Sequence, residues 1–525
     1  MPSTQYRRAR SIPAALLATA LGLALLLTAC GGGYDPLVVG VKEGAVRGTE
    51  TATVRQFLGI PYAAPPVGAL RWKAPVAPAP WDGVRDARSF GNHCPQNDTT
   101  PLKYGYPGGK EDCLYLNVFT PKTPGKHPVM VWVHGGAFVL GRSNNYPVTR
   151  LVEQGNTVVT INYRLGALGY LAHPALADTA GRSGNYGFLD QVAALKWVQS
   201  NIAAFGGDPA NVTLAGQSAG GLSVFAQLAS PLAAGLFHKA VIQSSPGLTL
   251  LNQAEAHALG ATTAQSSFGC ANDAKAAECL RALPVDTVLA KQPGSFSQVN
   301  QPVVDGSFLA QNMSSAVASG QFNKMPVMVG STHDEFTTFL GQTELTSGVP
   351  LSAAAYPFAL LNAFKVKAVA DLAASLYPPG AYPSPSLAYS AAMADSVFAC
   401  PTRRSAKQFQ AAGVPVYAYE FNDANAPMTL QPPVSFPYKA YHASEIQYLF
   451  DIPGTTLSPA QQQLSDAMVG NWSRFMATGN PNAAGSSAWP LYAADEATQQ
   501  FVPSASGVIR NFAVNHKCAV WTPGV

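Results

Sequence analysis

Gly216-Gln217-Ser218-Ala219-Gly220 stands between a short apolar run, Val212 to Ala215, and a second apolar stretch, Leu222 to Leu228, that ends before Pro231. The first run has the length of a buried strand and the second that of a short helix, so the pentapeptide between them reads as a sharp strand-to-helix turn. G-x-S-x-G in that setting is a nucleophile elbow, in which glycines permit the tight turn and a serine hydroxyl is pushed above the sheet. A chain with 47 glycines can produce the pentapeptide by chance as a plain Gly-Ser turn. The flanking strand and helix favour the elbow.

Other segments agree with a sheet interleaved with helices. Val129 to Val133 and Thr157 to Ile161 are strand-length apolar runs, and Ala240 to Gln243, Met325 to Val329 and Val414 to Phe421 add three more. After Asp190, the residues Val192, Leu195, Val198, Ile202 and Phe205 recur at helical spacing until Gly206-Gly207-Asp208-Pro209 stops them. Ser458-Pro459-Ala460-Gln461 predicts a capping box, with Leu464, Met468, Trp472 and Phe475 as the apolar stripe and Gly479 as the end. The expected class is α/β, a mostly parallel central sheet flanked by helices. Without internal repeats or a long linker, residues 30–525 read as one domain with insertions. Asp35 to Asp112 and Ser347 to Ala399, rich in Pro, Ala and Tyr, are expected to cover the sheet edge and carry substrate selectivity.

Composition narrows the setting. Hydrophobic residues make up 47% of the chain and charged ones 12%, which suits a large buried core rather than disorder. Arg7, Arg8 and Arg10 precede the apolar stretch Ala14 to Leu27, which leads into Leu27-Thr28-Ala29-Cys30 and three glycines. That is the layout of an export signal, and it is short for a membrane span. Leu-Thr-Ala-Cys resembles the bacterial lipobox, which implies cleavage after residue 29 and acylation of Cys30 to hold the body at a membrane, outside the cytosol. A plain cleaved signal giving a soluble secreted protein is one alternative and a retained N-terminal anchor another, and all three place the body outside the cytosol. Without the three leading arginines, 30 basic residues stand against 29 acidic ones, which leaves nothing to hold nucleic acid.

Setting Cys30 aside, the seven cysteines fall to six: Cys94, Cys113, Cys270, Cys279, Cys400 and Cys518. An even number suits an oxidising compartment. Sequence neighbours suggest Cys94 with Cys113 and Cys270 with Cys279, leaving Cys400 with Cys518, although six cysteines admit fifteen pairings. No Cys/His cluster has zinc spacing and no phosphate-binding glycine loop follows a strand, so neither metal nor cofactor is expected.

Acyl transfer through a serine needs three further things. Negative charge on the former carbonyl oxygen must meet backbone N–H groups, which His134-Gly135-Gly136-Ala137-Phe138 can supply after a strand, with Ala219 as the donor beyond the serine. A base must take the hydroxyl proton and an acid must orient that base, in the chain order serine, acid, histidine. His238, His257, His333, His442 and His516 follow Ser218, and spacing alone does not choose among them.

Motif strings do choose. Phe57-Leu58-Gly59-Ile60-Pro61-Tyr62, Glu111-Asp112-Cys113-Leu114-Tyr115-Leu116-Asn117, the His134 loop, Asn162-Tyr163-Arg164, Phe205-Gly206-Gly207-Asp208-Pro209 and the elbow follow one another in order. From about Val41 to Trp521 the chain resembles the type-B carboxylesterase family, which includes cholinesterases and bacterial para-nitrobenzyl esterases, and this implies the α/β-hydrolase fold. In that family the acid stands in a Lys-Asp-Glu-Gly string, matched here by His333-Asp334-Glu335-Phe336. This implies Glu335 as the acid, with Asp334 as runner-up. The family's His-Gly-x-Glu string is matched by His442-Ala443-Ser444-Glu445 and implies His442 as the base. The resemblance also implies oxyanion donors at Gly136, Ala137 and Ala219, the three disulfides named above, and an ion pair between Glu111 and Arg164. Gln217 stands where cholinesterases carry a glutamate, which argues against choline esters.

The expected activity is hydrolysis of small-molecule carboxylic esters through an acyl-enzyme on Ser218. A non-catalytic binding lipoprotein on the same fold, and acyl transfer or amide cleavage by the same triad, are the rival readings. Acyl chain length, alcohol group and oligomeric state have no readable motif.

Overall fold

The computed structural model describes Met1 and residues 35–97, 106–294, 297–485 and 488–522. The export segment and Cys30 lie outside the described residues. Among those described, no helix is long and apolar enough to cross a membrane.

Eleven strands build one sheet: β1 (Thr49–Glu50), β2 (Val54–Pro61), β3 (Tyr115–Pro121), β4 (His127–Val133), β5 (Thr157–Ile161), β6 (Gly207–Gln217), β7 (Lys239–Gln243), β8 (Val327–Thr332), β9 (Val416–Phe421), β10 (Thr498–Phe501) and β11 (Gly507–Ile509). Their spatial order is β11-β10-β9-β8-β7-β6-β4-β5-β3-β2-β1. The seven strands from β10 to β5 run parallel, and antiparallel pairs close both edges. This is the α/β-hydrolase architecture, a large mixed sheet flanked by helices.

Side chains of the central strand β4 alternate between two apolar layers. Val129, Val131 and Val133 join one buried cluster, and Met130 and Trp132 join the cluster on the opposite face. A strand covered on both faces reads as an unbroken apolar run, which is why Val129 to Val133 shows no polar alternation.

The periodic segments form the expected elements with shifted ends. α1 spans Tyr186–Asn201, and its expected continuation to Phe205 tightens into a 3-10 turn before left-handed Gly206, φ 85°. α2 (Ala219–Ala229) follows the elbow directly. α3 (Pro459–Thr478) carries the capping box, with Ser458 and Gln461 each bonding the other's backbone N–H, and ends at left-handed Gly479. β8 and β9 start later than their apolar runs because Pro326 and Pro415 offer no N–H to a ladder.

Asp35 to Asp112 is not purely a cover, since β1 and β2 inside it extend the main sheet. Ser347 to Ala399 is largely helical, through Tyr356–Phe364, Lys367–Leu376, Pro385–Ala394 and a π-turn at Asp395–Ala399.

Cys94–Cys113, Cys270–Cys279 and Cys400–Cys518 form disulfides, with Cα separations of 4.9, 5.8 and 5.2 Å. Three such bonds belong to a protein of an oxidising compartment.

The expected Glu111–Arg164 ion pair is replaced by two others. Glu111 accepts from Nε and Nη2 of Arg71, both at 2.6 Å, while Arg164 donates to both carboxylate oxygens of Asp190 at 2.8 and 2.7 Å. Asp190 projects from α1 and also accepts the Arg164 backbone N–H, so it meets both needs of that residue at once.

Candidate active site

The elbow is closed by contacts that leave no room for side chains. A Cβ on Gly220 would lie 2.0 Å from the Val133 carbonyl oxygen, and one on Gly216 would lie 2.5 Å from the Gly220 carbonyl carbon. The first turn of α2 therefore presses against the end of β4. Ser218 takes φ 59° and ψ −123°, a backbone state that costs a non-glycine residue about 1–3 kcal/mol and persists only where its surroundings impose it. Its N–H donates to the Gln243 carbonyl at 2.8 Å, which ties the turn to β7. Ser218 remains partly exposed at the sheet's carboxyl end, while its neighbours Gln217 and Ala219 are buried.

The loop after β4 approaches the same point. A Cβ on Gly135 would meet Gln217 O at 2.8 Å and Ser218 Cβ at 3.1 Å, so only glycine allows this approach. Gly136, Ala137 and Phe138 all have positive φ, at 108°, 52° and 62°. Among the described residues, no acceptor takes the N–H of Gly136 or Ala137. The N–H of Ala219 is the first of α2, where a helix offers no internal partner. The alanine in place of a third glycine is accommodated in the left-handed region. His134 is buried and stacks on Tyr163 at 4.4 Å, with Nδ1–H bonded to the Gly135 carbonyl at 2.8 Å. Burial holds its ring down to about 4, so it is neutral at neutral pH.

His442 and Glu335 converge from the loops after β9 and β8. Glu335 is fully buried, and its Oε1 accepts the Thr332 N–H at 2.8 Å while Oε2 accepts Nδ1–H of His442. That bond places the ring proton on Nδ1 and a lone pair on Nε2. Phe339 and Phe398 flank the imidazole, each with its ring centre 5.0 Å away. Nε2 accepts from Nε2 of Gln217 at 3.2 Å, and among the described residues no hydrogen bond joins Ser218 to His442. Asp334 instead meets Lys439 at 3.5 Å and pairs along the backbone with Tyr441, so it serves the loop rather than the imidazole.

The remaining histidines lie elsewhere. His238 accepts from the Val212 N–H, His257 meets Ser183, and His333 and His516 meet Glu420.

Sequence reading missed the layer beneath the site. Gln243, at the end of β7, donates to Oε1 of buried Glu445 at 3.1 Å and accepts from the Trp472 indole at 3.1 Å. Among the described residues, Oε2 of Glu445 has no hydrogen-bond partner. Burial, reinforced by the nearby Glu335 carboxylate, pushes the Glu445 carboxyl up to about 8. No local motif marks Gln243, Phe339 or Phe398, whose roles exist only through long-range packing.

Residues 35–521 match the model of the carboxylesterase family. The chain is 37% identical to the para-nitrobenzyl esterase of Bacillus subtilis over 481 residues, covering 87% of this chain and 92% of that one. It is 35% identical to a human cocaine esterase, covering 93% and 92% of the two chains, and 35% identical to a fumonisin B1 esterase of Sphingopyxis macrogoltabida, covering 87% and 85%. With an α/β-hydrolase sheet, a strained serine at the strand-to-helix turn and these relatives at nearly full length, the chain belongs to the carboxylesterase family and is a carboxylic ester hydrolase.

Proposed function

We propose that the protein hydrolyses small-molecule carboxylic esters through an acyl-enzyme on Ser218, with His442 as base and Glu335 as the acid that orients it. The observation that carries this reading is the buried Glu335–His442 pair, whose Nε2 presents its lone pair to the side chain of Gln217, the residue preceding Ser218. Substrate entry turns the imidazole from the Gln217 amide to the serine hydroxyl, an alignment that often tightens only on binding. His442 takes the proton as Ser218 Oγ attacks the carbonyl carbon, and the N–H groups of Gly136, Ala137 and Ala219 receive the oxyanion. Collapse of the intermediate expels the alcohol, which leaves with the proton from His442. Water then attacks the acyl group on the same base and releases the acid.

The body is proposed to work outside the cytosol as a lipoprotein: residues 1–29 as a signal, Cys30 acylated, and residues 30–525 as a single catalytic domain. The lipobox-like string and the three disulfides support this. Fatty-acid labelling that is lost in Cys30→Ala tests the anchor.

A fluorophosphonate probe applied to the purified mature chain, with para-nitrophenyl acetate and butyrate hydrolysis followed in parallel, tests the mechanism. Mass spectrometry should locate the label on Ser218, and hydrolysis should fall as labelling proceeds. Ser218→Ala should lose about three or more orders of magnitude of turnover. A folded protein with neither label nor turnover would favour the binding-lipoprotein reading instead.

A further inference from the structure

Away from Ser218, two imidazoles converge on one carboxylate. His333 Nδ1 lies 2.9 Å and His516 Nε2 lies 2.6 Å from the same oxygen, Oε1 of Glu420. The three donor atoms fall within 4.8 Å of one another. His333 comes from the end of β8, Glu420 from β9, and His516 from the C-terminal segment that the Cys400–Cys518 disulfide ties back.

The surroundings are those of a coordination site. Nδ1 of His516 bonds Asp395 Oδ1 at 2.5 Å, which leaves Nε2 as the atom aimed at Glu420 and makes a carboxylate–histidine pair of the kind that orients a ligating imidazole. Asp395 is itself held by the Tyr377 hydroxyl at 2.6 Å, and Gln500 Nε2 donates to the other Glu420 oxygen at 2.6 Å. Glu420 and His516 are buried, whereas the His333 side chain is 34% exposed and gives an ion a way in and a water a place to bind.

We propose that His333 Nδ1, Glu420 Oε1 and His516 Nε2 form a binding site for a first-row divalent cation of the zinc type, with an exchangeable water in the fourth position. Two imidazoles and one carboxylate suit such an ion better than magnesium or calcium, which take oxygen ligands. Zinc–ligand bonds of about 2.0–2.1 Å in a tetrahedron set donor atoms roughly 3.3 Å apart, so the two nitrogen–carboxylate contacts must open by less than about 1 Å while the two imidazole nitrogens, within 4.8 Å of each other, close toward that spacing by a turn of the partly exposed His333 ring. Binding requires both nitrogens that now donate to Glu420 to give up their protons: the one on His516 Nε2 goes to solvent, the one on His333 Nδ1 goes to solvent or moves to that ring's Nε2, and the ion takes their place between the nitrogens and the carboxylate. The ion would cross-link β8, two residues before Glu335, to β9 and the C-terminal segment.

The test uses the full mature chain without an affinity tag, stripped with a chelator and titrated with Zn²⁺ by calorimetry and with Co²⁺ by visible absorption. The expected result is one ion per chain, tetrahedral cobalt bands and a raised melting temperature. His333→Ala should weaken binding at least tenfold, and Asp395→Asn by about 10- to 100-fold. His333→Asn, which keeps a polar partner for Glu420, serves if the alanine variant fails to fold by circular dichroism. Absence of stoichiometric binding to the wild type, or binding and cobalt spectra unchanged in a folded His333 variant, would overturn the proposal.

Discussion

The Gln217 amide donates to Nε2 of His442 at 3.2 Å, occupying the lone pair that the proposed mechanism directs at Ser218. A neutral amide can be displaced by the hydroxyl without a charge penalty. Gln217→Ala should therefore hydrolyse para-nitrophenyl acetate within about tenfold of the wild type, because no charge-assisted bond is lost. Gln217→Glu should behave differently, since a carboxylate at this distance favours the charged imidazole. The acid limb of its pH–rate profile should move up by about one unit or more. An acid limb identical to that of the wild type would show that Gln217 does not face the base during turnover.

Glu445 predicts a pH dependence of stability. Its folded carboxyl is raised to about 8 by burial and by Glu335, against an ordinary value of 4.5, so the folded state holds a proton that the unfolded chain gives up. Its favourable contribution is complete below 4.5 and declines as pH rises toward 8. Glu445→Gln keeps an uncharged group of the same shape and should lose less stability across that window. Denaturant unfolding of both proteins at pH 5 and pH 8 should show the gap shifting toward the variant by a few kcal/mol.

Gly220 tests the elbow's packing. A methyl group there meets the Val133 carbonyl at 2.0 Å, so the first turn of α2 or the end of β4 must shift. Gly220→Ala should cost about 1–3 kcal/mol or more and disturb Ser218 as α2 is displaced. Melting temperature and esterase activity should fall together, whereas Gly40→Ala, where nothing lies within 4 Å and the backbone is not left-handed, should leave both close to the wild type.

Arg164 and Asp190 should not tolerate separation. Their side chains are 4% and 0% exposed, so deleting one strands a buried charge. Asp190→Ala should destabilise by about 3–5 kcal/mol, read from chemical denaturation. A change at exposed Asp371, which pairs with Lys367 along one helix, should stay below about 1 kcal/mol.

Local physics made part of this protein legible in the chain itself. The buried strands announced themselves as unbroken apolar runs, and the capping box, the stopping glycines and the elbow pentapeptide are patterns whose cause lies within a few residues. The motif strings around Glu335 and His442 pointed to the two side chains that meet. Three-dimensional folding decided what depends on distant partners. Arg164 went to Asp190 rather than Glu111 because α1 carries that carboxylate to it. Nε2 of His442 went to Gln217, and two phenylalanines from separate segments closed around its ring. Prolines at 326 and 415 trimmed strands that hydrophobicity alone would extend, because a ladder also needs N–H groups. Glu445 acquired its raised carboxyl, and His333 its place beside Glu420 and His516, only once strands far apart in sequence were stacked side by side. Periodicity and turn chemistry act over a few residues, whereas desolvation and side-chain partnership belong to the packed chain.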